Sequence, residues 1–210
     1  FDKLDAEFGI NEGGYTHWEG GRITAIDLQC AEKQYLDLVF RARGRSGHAS
    51  LPQPGNAVHA LVRAMSRLSY WEGGFEVSPV ALAYLDAVAR DSGPELRREI
   101  ARLKGRRRGK AARRVARLSP ELGALLRDSC AVTMHKAGYK SNVIPEEAEA
   151  TANCRLLPGR NAERFVAQLK ARLKEPAVEI EYASPPGKPA PAMPIDSELF
   201  RAVAAVAAEQ

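Results

Sequence analysis

The sequence predicts an α+β fold built on a split βαβ, or ferredoxin-like, arrangement: a four-stranded antiparallel sheet with helices on one face. Three observations predict it. Between Lys33 and Tyr182, alternating apolar–polar segments and segments of helical spacing follow the order strand, helix, strand, strand, helix, strand. A block of helical sequence at about 78–128 interrupts that order once. Near the end of the unit, Ala148, Ala150, Ala152 and Cys154 share one strand face, while Glu149, Thr151, Asn153 and Arg155 share the other.

Taken in order, AEFGINEGG reads as a strand halted by two glycines, with Glu12 at its end. RITAIDLQC and KQYLDLVFRARG alternate as strands, the second placing Leu36, Leu38 and Phe40 on one face. SGHASLPQPGN is a loop by its Gly, Pro and Ser content. Asn56 caps a helix carrying Ala57, Leu61, Ala64, Met65 and Leu68 at helical spacing. Within 78–128, Ser78-Pro79 and Ser119-Pro120 each set a cap before a first-turn proline. CAVTMHKA is a strand, Gly-Tyr-Lys-Ser-Asn a turn, and EEAEATANCRLLPG the next strand. Asn161 opens a helix with Phe165, Leu169 and Leu173 at spacing four, Pro176 ends it, and VEIEY is the last strand. A proline-rich connector, SPPGKPAPAMP, leads to a final helix capped by Asp196 or Ser197.

Composition bounds the rest. The 210 residues suit one ordinary domain or two small ones, and no run approaches the ~18 apolar residues of a membrane span. The opening FDKLDAEFG lacks a Met and a leader pattern, which predicts a piece of a longer chain. Cys30, Cys130 and Cys154 are odd in number and widely spaced, which predicts reduced thiols at buried strand positions and, from them, a cytoplasmic location. The net charge of +5 is concentrated: Arg97–Arg117 holds eleven Lys and Arg against one acid, Glu99. That segment has no aromatic residue on which bases could stack, so it reads as a helical hairpin with a solvated basic face rather than a nucleic-acid site. An anionic partner surface is its alternative use.

NEGG at 11–14, RSGHASLP at 45–52 and GYKSNVIPEEAEATANCRLLPG at 138–159, in this order around a split βαβ unit with a helical insertion, resemble the M20 family of metallopeptidases. That family includes aminoacylases, carboxypeptidases and related amidohydrolases. The late motif, with Asn153, Arg155, Pro158 and Gly159, is similar to the Asn-x-Arg-x-x-Pro-Gly of the carboxypeptidase S type.

The resemblance assigns roles that the residues alone do not. Glu12, by itself a surface acid at a turn, is implied to ligate one of two zinc ions. The family's other ligands and its general-base Glu come from an upstream His-x-Asp, an upstream Asp, an upstream Glu-Glu pair and a downstream His. His17, His48, His59 and His135 form no such pattern, so the chain by itself is expected to hold no competent metal pair. His48, otherwise a solvated loop histidine, is implied to cross a dimer interface and donate a hydrogen bond to a developing oxyanion in the partner's site. Asn142, otherwise a turn amide, is implied to contact substrate near the scissile amide. Arg155, otherwise a sheet-surface arginine, is implied to fork onto a free substrate carboxylate. His59 reads as a helix-surface residue, His135 as a strand residue, and His17 carries no role.

The resulting expectation is a lid and dimerisation domain at 32–186, flanked at 1–31 and 187–210 by remnants of an α/β zinc-exopeptidase catalytic domain. The whole protein would hydrolyse N-acyl amino acids or short peptides with a free C-terminus, as a homodimer paired through the edge strand leading to His48, with no nucleic-acid or membrane partner. The competing class is a non-catalytic dimerisation or interaction module that docks through the basic helices.

Overall fold

The structure, a computed structural model, describes residues 7, 9–10 and 13–209, so Glu12 and part of the first expected strand lie outside the described residues. The chain divides into two compact units, one drawing on the segments up to Glu32 and from Pro191, the other formed by Lys33–Ala190.

The first unit contains an antiparallel hairpin of β1 (Thr16–Glu19) and β2 (Arg22–Ile26). The sequence reading placed β2 but not β1, because THWE lacks the apolar alternation that marks a half-buried strand and all four residues are exposed.

The second unit runs β3 (Gln34–Arg43), β4 (Gly47–His48), α1 (Ala57–Ser69), α2 (Pro79–Val88), α3 (Pro94–Arg102), α4 (Arg108–Leu118), α5 (Pro120–Ala124), β5 (Ser129–Ala137), β6 (Val143–Ile144), β7 (Glu147–Leu156), α6 (Ala162–Leu173) and β8 (Val178–Tyr182). The first unit resumes with α7 (Glu198–Ala207), where the Ser197 Oγ accepts from the Phe200 N–H at 3.2 Å. Four strands form one sheet in the order β5-β7-β3-β8, every pair antiparallel. The alternation read from the sequence decides which face is covered. Leu36, Leu38, Phe40, Ala148, Ala150, Ala152 and Cys154 are buried against α1 and α6, which contribute Leu61, Leu68, Phe165 and Leu169. Asn56 and Asn161 cap those helices, each Oδ1 accepting a backbone N–H three residues on, at 3.2 and 2.8 Å. The opposite sheet face is open and polar. At its middle the Arg41 guanidinium lies 2.8 Å from both Glu149 and Glu181.

The insertion is more than a solvated hairpin. Leu85, Ile100, Leu103, Ala111, Ala112, Val115 and Leu126 make a separate small core, so most of the larger apolar residues scattered among its arginines turn inward, Leu118 at 41% exposure being an exception. The segment's one acid, Glu99, is 2% exposed and bridges Arg102 and Arg114 at 2.6 and 2.9 Å. Burial alone would push its carboxyl up. The Arg114 hydrogen bond and the two guanidinium charges outweigh that and hold it below the ordinary carboxylate value.

Three expectations are corrected. Cys130 and Cys154 are register partners on β5 and β7, 4.0 Å apart at Cα, and form a disulfide; only Cys30 is a free thiol. Sequence separation said nothing of this, because cross-strand partners are set by register. The cytoplasmic expectation loses the reduced thiols on which it rested. Next, the strand leading to His48 is no edge: β3 lies between β7 and β8, and the edges are β5 and β8. Finally, the loop after β3 includes a two-residue strand, with Gly47 opposite Ile144 and His48 opposite Val143. No helix among the described residues is long and apolar enough to cross a membrane.

Candidate functional site

Two groups of polar side chains in the second unit bear on the expected chemistry. The first lies on the open sheet face, at the end where β3 begins and β7 finishes. Register places Tyr35 opposite Arg155 and Asp37 opposite Asn153. The Arg155 guanidinium carbon sits 4.7 Å from the Tyr35 ring centroid, a cation–π stack that fixes the plane of the fork. Its Nε donates to Asn153 Oδ1 at 3.4 Å, Asn153 Nδ2 donates to Asp37 Oδ1 at 2.8 Å, and the Tyr35 hydroxyl donates to Asp37 Oδ2. The bond to Asp37 pushes the Tyr35 hydroxyl above its usual range, and bonds from Tyr35 and Asn153 hold the Asp37 carboxyl below its own. With Nε committed and one guanidinium face covered, the two terminal Nη groups of Arg155 have no hydrogen-bond or ion-pair partner among the described residues, and together they form an edge that binds a carboxylate bidentately.

Lys33 stands at the same end. Its ammonium donates to the carbonyls of Ala124 and Arg127 at 3.0 and 2.7 Å and to Ser129 Oγ at 3.3 Å, tying β3 to the end of the insertion. Burial is the main cause that lowers its pKa to about 8. Neither Lys33 nor the Tyr35–Asp37 pair was singled out from sequence. The signal was available only in part: alternation puts Tyr35 and Asp37 on the polar face of β3, but only the register shows which β7 residues they meet.

The second group hangs from the other end of the sheet. Gly44, just past β3, lies so close to the loop's return that a Cβ there would come within 2.1 Å of the Gly55 carbonyl oxygen. This contact closes 45–56 into a compact loop. His48 leads it, exposed, its Nδ1 2.7 Å from Ser50 Oγ and accepting the Ser50 backbone N–H at 3.3 Å. A backbone N–H can only donate, so Nδ1 accepts in this arrangement, which leaves Nε2 as the ring nitrogen that can donate. Asn142 joins His48 through the backbone: its carbonyl accepts the Ala49 N–H at 2.9 Å, beside the β4–β6 pair. Gly138, at φ +65°, makes the turn that returns the chain from β5 towards Asn142.

His48 and Asn142 therefore come together, and Arg155 does not join them. The Gly44 N–H donates to the Glu146 carbonyl, so the His48 loop sits at the Glu147 end of β7. From there to Arg155 the strand runs roughly 26 Å, at about 3.3 Å per residue.

Comparison with known proteins places this unit. The chain belongs to the M20 peptidase dimerisation domain family, whose sequence model matches residues 30–181. It is 30% identical over 169 residues to a carboxypeptidase S-like 2 protein of Dictyostelium discoideum, covering 80% of this chain and 32% of that one. It is 37% identical over 86 residues to the N-fatty-acyl-amino acid synthase/hydrolase PM20D1 of Xenopus tropicalis, covering 41% of this chain and 17% of that one. The chain thus spans about a third of the length of the first of these relatives. In fold it is similar to the M20 family metallo-carboxypeptidase Sso-CP2 of Sulfolobus solfataricus, with a TM-score of 0.53 at 16% identity, over 86% of this chain and 50% of that one.

Membership in a metallopeptidase family implies a metal cofactor, but the donors described here do not fit one. Among the described residues no three His, Cys, Asp or Glu side chains converge. His48 faces a serine, and His17 meets a single carboxylate, Asp27, at 2.9 Å.

Proposed function

We propose that this chain is the lid and dimerisation part of a zinc-dependent hydrolase that cleaves the amide bond of N-acyl amino acids or short peptides with a free C-terminal carboxylate. The observation that carries the reading is Arg155, a planar cation held by Tyr35 and Asn153 with its bidentate edge free, inside a chain of M20 membership. In this reading the βαββαβ unit is the ferredoxin-like lid, supported by a strand order in which the first and third strands are central and the second and fourth are edges. The segments up to Glu32 and from Pro191 belong to the catalytic domain. The two zinc ions are held by residues outside those described, Glu12 among them.

Arg155 binds and orients the substrate carboxylate, Asn142 contacts the substrate beside the scissile amide, and His48 donates from Nε2 to the oxygen on which negative charge develops. These roles require two copies of the chain, since Arg155 lies at the opposite end of the sheet from the other two. The β5 edge supplies the means. It is open along its length and exposes Val132 and Met134, the latter 67% exposed. Two β5 strands pairing antiparallel across a two-fold axis would make an eight-stranded sheet. They would also set the Ser129 end of one copy beside the Ala137 end of the other. Ser129 is the register partner of Arg155, and Ala137 that of Ala148, beside the His48 loop. Edge pairing thus delivers the partner's His48 and Asn142 to the end of the sheet that holds Arg155.

The test is hydrolysis by the full-length protein. Zinc-dependent release of the amino acid from an N-acyl amino acid, with much slower turnover of the matching amide, is expected. A zinc-loaded full-length protein with no such activity would overturn the assignment.

A further inference from the structure

On the helix-covered side of the sheet, a cavity of about 720 Å³ opens between the segment after α1, the length of α6 and the insertion helix α4. Four guanidinium groups line it, those of Arg113, Arg160, Arg164 and Arg172, against two carboxylates, Glu72 and Asp128. The four are not equally occupied. Arg160 is fixed, with Nη2 2.8 Å from Glu76 and Nε 3.5 Å from Asp128, a buried carboxylate that also accepts the Leu157 N–H at 2.7 Å. Arg113 reaches only to Glu72, at 3.8 Å, with both side chains well exposed. Arg164 and Arg172 have no hydrogen-bond or ion-pair partner for their guanidinium groups among the described residues. They stand two helical turns apart on one face of α6, with the uncharged Gln168 between them. Trp71, stacked edge-on against Phe165 at 5.6 Å between ring centroids, gives the cavity an apolar wall.

We propose that this cavity is a binding site for a small polyvalent anion, a compound carrying two or more phosphate or carboxylate groups. The balance of charge on its walls leaves two cations unanswered, and the two without partners are arginines, whose planar forks match such groups. Its volume lies in the range of small-molecule sites. The site is independent of the hydrolytic assignment. Its ligand would bind on the covered side of the sheet while substrate binds on the open side.

Calorimetric titration of the 210-residue chain with inorganic pyrophosphate and, separately, with citrate at matched ionic strength tests the site. Saturable one-to-one binding of at least one probe is expected, and the stronger of the two distinguishes a phosphate from a carboxylate ligand. The double variant Arg164→Gln/Arg172→Gln should bind about tenfold or more weakly. A second double variant, Arg106→Gln/Arg107→Gln, alters insertion arginines that do not line the cavity and should bind as the parent does. All four side chains are exposed, so both variants should keep the parent's circular dichroism. Three results would overturn the site: heats that follow ionic strength without saturating, an α6 variant that binds like the parent, or equal loss in the two variants.

Discussion

His48 and Arg155 stand at opposite ends of one four-stranded sheet, the first in the loop anchored at the Glu147 end of β7, the second one residue from the other end of that strand. No rotamer change closes a gap of roughly 26 Å of extended chain. If the two residues serve one site, the sheet must be doubled.

Arg155 should decide which substrates the intact enzyme prefers. Arg155→Ala is expected to slow hydrolysis of substrates with a free carboxylate far more than that of the matching amides. Hydrogen bonds to a charged group contribute about 1.5–3 kcal/mol, or roughly one to two decades in kcat/KM. The guanidinium is exposed here rather than buried, which argues against a larger figure. His48→Ala should slow both substrate types alike. An unchanged preference after Arg155→Ala would leave it a surface arginine.

The β5 edge should carry the dimer. Val132 and Met134 are 38% and 67% exposed, and the double substitution Val132→Lys/Met134→Lys brings like charges together across the two-fold axis. Dimerisation of the full-length protein, followed by sedimentation, should weaken by about tenfold or more, some 1.4 kcal/mol. Unaltered association would move the interface off this edge.

Much of this arrangement was legible in the sequence. The period-two alternation of KQYLDLVF and EEAEATANCR placed Leu36, Leu38, Phe40, Ala152 and Cys154 on a covered face, and they are buried. Ser78, Ser119, Asn56 and Asn161 were legible as caps because short polar side chains before a helical run have one dominant local use. Whatever depends on strand order or register was not. The Cys130–Cys154 bond, the interior place of β3, the Tyr35–Arg155 stack and the pairing of His48 with Val143 all arise between segments far apart in the chain. A single strand's alternation does not name its neighbour.

Lys33 should make stability rise with pH in the alkaline range. Its pKa is about 8 in the folded chain against an ordinary 10.5. Below the lower value the ammonium is charged whether the chain is folded or not, and the cost of burying it is fully present. Between the two values the unfolded chain keeps the proton that the folded chain has released, so raising the pH favours folding. The urea midpoint of the parent relative to Lys33→Met should therefore climb from pH 7.5 to 10. A constant difference would show that its three acceptors keep the ammonium charged throughout.

Glu99 should act in the opposite pH range. Its carboxyl is held below the ordinary 4.5, so its contribution is present above that value and is lost as the pH falls through the folded one. At neutral pH, Glu99→Gln should lower the melting temperature, because it leaves Arg102 and Arg114 facing each other without the anion between them. The gap between parent and variant should shrink on acidification below 4.5. A gap independent of pH would mean that the charge of the carboxylate is not what stabilises the insertion.

The most direct test of the two-copy site is complementation between full-length variants. His48→Ala and Arg155→Ala proteins, each of low activity, are mixed in equal amounts, dissociated and allowed to reassociate. A mixed dimer has one site with an intact Arg155 from one chain and an intact His48 from the other, and a second site lacking both. With random pairing, activity should recover to about a quarter of the parent's. If each site drew both residues from a single chain, every site in the mixture would lack one of them. Activity that stays at the level of the separate variants after verified subunit exchange would contradict the account.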